Sequence, residues 1–289
     1  MTQRSISFLL APMLVSLLLQ ASPVWAGNDV EQTLKAEFQD KVLTLRHPCK
    51  GDRLMFQPDG GLMGVANLGP WTVDSQVSIL DIKLHDHALR IHGRRVFLVF
   101  DAEAKPYRDV LNLLSESSSP DREKMEKYFA SQQVEIEIGL PSDHPGLDEA
   151  SKALNAVFLA PGESMAGVVP DFWRDYFDQQ EGRPRTPPPS SEAMFSVKPP
   201  SGTMPRAIHS PEPEYSDEAR RAKYQGTMTV SIVADASGAT RDVQVVKPLG
   251  MGLDEKAVES VRNWTFEPAK KDGSPVSIQL MIEVDFHLY

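Results

Sequence analysis

The last quarter of the chain has the clearest pattern. Between Val276 and Leu288 the apolar residues Ile278, Leu280, Ile282, Val284, Phe286 and Leu288 alternate with Gln279, Met281, Glu283, Asp285 and His287. Successive side chains on a strand point to opposite faces, so this period of two predicts a long strand with one buried and one mostly polar face. Thr227 to Ala234 alternates apart from Val233, with Met228, Val230, Ile232 and Ala234 on one face, and Arg241 to Lys247 returns after a turn at Asp235 to Gly238. These two tracts form a hairpin. Leu253, Ala257, Val261 and Trp264 then recur at helical spacing, an apolar stripe that has to lie on the sheet. Ahead of the hairpin, Ser216 caps a short helix that is acidic at Asp217 and Glu218, basic at Arg220, Arg221 and Lys223, and stopped by Gly226. The predicted order is helix, strand, strand, helix, strand: a three-stranded antiparallel sheet packed by helices.

Upstream, from about Gly27 to Asp178, strand-like tracts dominate. They run over Lys41 to Arg46, Arg53 to Phe56, Ser75 to Phe100 and Val134 to Pro141, with turn signals at Asp59-Gly60-Gly61, His85 to Ala88 and His92-Gly93. Ser119-Pro120-Asp121 opens a helix, and the spacing of Leu147, Ala150, Leu154, Val157 and Phe158 predicts another over Leu147 to Leu159. The expected class is α+β, with a mostly-strand N-terminal domain over residues 27–178 and a second domain over 205–289. Nine prolines between Gln179 and Pro213 favour an extended chain, so residues 179–204 read as a proline-rich linker. Ala193-Met194-Phe195 with Val197 stays open between linker and lead-in.

The N-terminus changes the setting. Arg4, an apolar run from Ile6 to Leu19 and the small residues of Val24-Trp25-Ala26 make a secretory leader cleaved after Ala26. An uncleaved anchor would need about 20 apolar residues. Cys49 is the sole cysteine, so no disulfide forms within the chain, and burial is its expected fate. A net charge of -10 gives no cationic footprint for a nucleic-acid partner.

Candidate chemistry is sparse. His85, His87 and His92 flank Asp86, but with no further ligand at metal spacing they read as surface turn residues. The chain has no nucleophile elbow, no zinc-protease motif, no P-loop and no dinucleotide turn. No cofactor, metal or enzyme activity is expected.

Pro213-Glu214-Tyr215-Ser216 with Ala219-Arg220, Gly226, the Asp235 to Gly238 turn, Leu253-Asp254 with Ala257, Trp264 to Ala269 and Gly273-Ser274-Pro275 together resemble the C-terminal domain of TonB family proteins. The resemblance implies a periplasmic binding module that engages TonB-dependent outer-membrane transporters, whose extended TonB box adds a strand beside the domain's last strand. Such an edge presents unpaired N–H and C=O groups to an incoming chain. Gln279, Met281, Glu283 and Asp285 are the candidate partner-binding residues on that edge. Pro211, Pro213 and Tyr215 match the family region that also approaches the transporter. Trp264 and Phe266 read as core. The short linker and the extra upstream domain depart from the family's energy transducers. Three readings stay open: a periplasmic protein that binds a transporter, another periplasmic protein or a second copy of itself; a membrane-anchored transducer; and an N-terminal ligand-binding or catalytic unit with a C-terminal docking device.

Overall fold

Helix α1 (Gly27–Phe38) turns Val30, Leu34 and Phe38 inward at successive four-residue steps, and they land on a sheet. The computed structural model describes residues 27–65, 67–85, 87–100, 107–184 and 201–288. The expected leader, residues 1–26, and residues 185–200 of the expected linker lie outside the described residues.

The upstream part continues with β1 (Val42–Thr44), β2 (Arg53–Phe56), α2 (Trp71–Asp74), β3 (Gln76–His85), β4 (Ala88–Val96), β5 (Leu98–Val99) and β6 (Arg108–Asp109). After them come α3 (Val110–Ser115), α4 (Arg122–Ala130), β7 (Gln133–Gly139), α5 (Leu147–Val157) and α6 (Asp171–Gln180). Five strands form one sheet in the order β1-β3-β4-β7-β2, antiparallel except where β2 runs parallel to β7. Helices α1 and α5 cover one face, burying Leu34, Ile79, Ile91, Ile136, Leu154 and Phe158. Cys49 is buried against this cluster, 1% exposed.

His92 and Gly93, read from sequence as a turn, sit in the middle of β4, opposite Asp81 and Ile79 of β3. A Cβ at Gly93 would lie 2.4 Å from a Val77 methyl and 3.0 Å from the Ser78 carbonyl. Glycine here permits close strand approach rather than a reversal. Helices α1 and α6 add to what the strand-like tracts suggest.

The C-terminal part holds β8 (Gly202–Thr203), β9 (Arg206–His209), α7 (Asp217–Arg221), β10 (Gly226–Ala234), β11 (Thr240–Lys247) and α8 (Leu253–Val261). Strands β12 (Thr265–Glu267), β13 (Ala269–Lys271), β14 (Ser274–Val276) and β15 (Ile278–Phe286) complete it. The predicted α+β order is present, with β10 between β11 and β15, both antiparallel to it. Ser216 caps α7, its hydroxyl accepting from Ala219 N–H at 3.1 Å and donating to the Met251 carbonyl at 2.5 Å. Short strands β9 and β12 pair with each other, and β13 lies between β8 and β14.

One buried cluster joins the two parts: Trp71, Phe100, Phe129 and Trp173 are continuous with Val230 and Val261. Helix α6 packs on β11. The Phe100 ring stacks on Trp173 at 5.4 Å, and Trp71 meets the same indole at 5.4 Å. Main-chain bonds reinforce the junction, Phe100 N–H donating to Leu249 O at 3.1 Å and Met251 N–H to Leu98 O at 2.8 Å. Gly250, at φ +99°, passes so near β5 that a Cβ would lie 2.2 Å from the Leu98 carbonyl. The Glu255 carboxylate accepts from Thr72 N–H at 3.2 Å and Thr72 Oγ1 at 2.9 Å, while Gly252 N–H donates to Thr72 Oγ1 at 2.8 Å.

Candidate functional site

The two edges of the C-terminal sheet differ. Strand β15 runs against β10 through nine consecutive pairs, from Gly226 opposite Phe286 to Ala234 opposite Ile278, without a register shift. Its outer side pairs with no described strand. Strand β11 shifts register twice against β10, and its Asp242 takes a φ of +47°. Bulges of this kind blunt an edge.

The alternation that predicts β15 positions its side chains. Ile278, Val284 and Phe286 are buried toward the core, which puts Gln279, Met281, Glu283 and Asp285 together on the opposite face. Gln279 donates from Nε2 to Ser231 Oγ at 2.7 Å. Thr227 Oγ1 donates to Asp285 Oδ1 at 2.6 Å, and His287 Nε2 lies 3.3 Å from Asp285 Oδ2. Met281 is 59% exposed and Glu283 is exposed beside it. The edge therefore offers straight backbone flanked by a flexible apolar side chain and two carboxylates, a surface suited to an extended chain with donor or apolar side chains.

Of the other candidates, Tyr215 reaches this strand. Its ring meets Phe286 edge-on at 5.6 Å, Arg220 lies over it at 5.6 Å, and its hydroxyl donates to the Tyr224 carbonyl. Partial burial raises the Tyr215 pKa above its ordinary value. Pro211 is placed elsewhere: its carbonyl accepts from Ser260 Oγ at 2.5 Å and from Trp264 Nε1 at 3.1 Å, at the end of α8. Pro213, half-buried, lies on the segment between them. Phe266 is buried, whereas Trp264 is half-buried and serves as the clamp on Pro211. His87 pairs with Asp143 at 2.9 Å on the surface. Among the described residues no group of three His, Cys, Asp or Glu is placed to hold a metal ion, and no helix is long and apolar enough to cross a membrane.

Strand β9, exposed throughout with Ile208 69% exposed, is a second sheet edge that sequence reading does not single out. Four residues with no buried face carry no periodic signal.

A family model described as the Gram-negative bacterial TonB protein C-terminal matches residues 211–288. Protein tonB2 of Pseudomonas aeruginosa is 35% identical over 82 residues, covering 28% of this chain and 30% of that protein. Protein TonB of Vibrio cholerae is 33% identical over 78 residues, covering 27% of this chain and 32% of that protein. The chain thus spans less than a third of the length of the curated relatives it matches. A solution NMR structure of the Pseudomonas aeruginosa TonB CTD aligns at 19% identity with a TM-score of 0.26, covering 34% of this chain and 96% of that one. The match to the TonB C-terminal family is thus confined to residues 211–288, a segment that contains the whole three-stranded sheet and its β15 edge, unpaired among the described residues.

Proposed function

We propose that this chain is a periplasmic, non-enzymatic adaptor that binds a TonB-dependent outer-membrane transporter by adding the transporter's extended TonB-box segment as a strand beside β15. The single observation that carries this reading is the nine-residue, bulge-free edge of β15, lying inside the segment that matches the family. Gln279, Met281, Glu283 and Asp285 flank the added strand, Tyr215 supports its end through Phe286, and Pro211 and Pro213 fix the approach segment against α8. Residues 1–26 act as a cleaved leader, residues 27–178 as a platform domain and 179–204 as the linker into the module. No cofactor enters this mechanism.

A photoreactive residue at Met281, activated in cells, is expected to capture an outer-membrane transporter, while one at His87 on the upstream surface does not. Capture from His87 and not from Met281 would sink strand addition at β15. Capture from Met281 of a second copy of this chain and of no transporter would make the partner a homodimer and overturn the transporter assignment. A mature N-terminus at Gly27, read by mass spectrometry, is expected for the exported form; an intact leader would favour an anchored transducer.

A further inference from the structure

A groove of about 910 Å³ opens between the two parts of the molecule. One wall is formed by the segment before and through α2 together with Pro170 and Phe172, the other by residues 214–218 and the outer side of α8. Its charge is lopsided: Asp74, Glu214, Asp217, Glu218, Glu255 and Glu259 face Lys50, Lys256 and Arg262. Two of the cations are already engaged. Lys256 holds Glu214 at 2.8 Å and Glu259 at 3.5 Å, and Arg262 lies over the Phe172 ring at 5.3 Å.

Asp74 stands apart from the other acids. It lines the groove at 8% exposure, and among the described residues no hydrogen bond reaches its carboxylate. The buried Arg95 beside it directs its N–H groups to the main-chain oxygens of Asp74, Cys49 and Gly51 at 2.6, 2.6 and 3.0 Å. A carboxylate drawn this far from water without a hydrogen-bond partner is costly, and groups perturbed in this way cluster at functional sites. The rim adds apolar surface: Leu68 is 61% exposed and the Phe172 ring is half-buried. Lys and Arg side chains match this combination, with apolar stems and charged heads.

We infer that this groove receives an extended basic segment of a partner protein, one of whose Lys or Arg side chains ends on Asp74 while its stem lies along Leu68 and Phe172. Walls drawn from five separate chain segments suit an extended occupant better than a compact one. Because both parts of the molecule build the groove, the C-terminal domain alone would lack it, and the site is distinct from the β15 edge.

The test uses fluorescence anisotropy with the purified full chain. The probe is a fluorescein-labelled octapeptide carrying three arginines and two leucines; the control carries glutamates in place of the arginines. The arginine peptide is expected to bind and the glutamate peptide to fail. Asp74→Asn should weaken binding about tenfold, Lys50→Ala, which removes the competing cation, should tighten it several-fold, and Met281→Gln on the β15 edge should leave it unchanged. Circular dichroism melts verify that each variant is folded. Binding unaffected by both Asp74→Asn and Lys50→Ala, equal binding of the two peptides, or loss of binding in Met281→Gln alone would overturn the proposal without bearing on transporter capture at β15.

Discussion

Asp74 shows how one buried group links stability to pH. Burial, partly offset by Arg95, pushes its carboxyl up to about 6 from its ordinary value of 3.8. A raised folded-state pKa means the unfolded chain gives up this proton first. The stability that the protonated form contributes is therefore whole below about pH 4 and is lost as pH climbs through about 6. Asp74→Asn fixes the neutral form. It is expected to stabilise the fold by about 1–3 kcal/mol at pH 7.5 and to leave it unchanged at pH 4, measured by denaturant melts. Equal shifts at both pH values would remove the titration as the cause. Asp254, fully buried with its two oxygens accepting from Leu249 and Gly250 N–H groups at 2.8 and 2.6 Å, is pushed upward too, by burial first and by neighbouring Glu255 second.

At the scale of elements, glycine in a strand is a packing device. Gly93→Ala places a methyl against Val77 across the β3–β4 ladder, and a loss of about 1–3 kcal/mol is expected in chemical denaturation. A neutral result would show that β3 yields. Much of the architecture was legible because one-sided burial writes a period into the chain. Residues Ile278 to Phe286, the Met228 to Ala234 face and the stripe of α8 all carry that period, and Ser216 announces its helix through cap chemistry. Other elements left no such trace. Gly93 resembles a turn signal because composition does not register what lies across the sheet. Helix α6 buries Trp173, Tyr176 and Phe177 along with Asp175 and Asp178, so its inner face is chemically mixed and its partner lies far along the chain. The candidate edge was readable residue by residue; the acidic groove was not, because its walls come from segments distant in sequence.

Over the whole molecule, the aromatic junction makes the C-terminal sheet part of a larger core. Trp173→Ala should cost about 3–5 kcal/mol and should lower the protection of β10 and of Phe129 together in hydrogen exchange. Loss confined to α6 would show that the two parts unfold separately. The unlike edges of the sheet also set the arithmetic of assembly. A bulged flank with a helix packed on it resists pairing, and a straight flank invites it. Copies of this chain that meet through their sheets can join β15 to β15, a two-fold contact that uses up both open sides and closes. Self-association through this sheet alone, followed by sedimentation at rising concentration, should accordingly stop at the dimer. Having one straight flank and not two, this three-stranded sheet can accept a guest strand without offering a further flank of its own to a fibre.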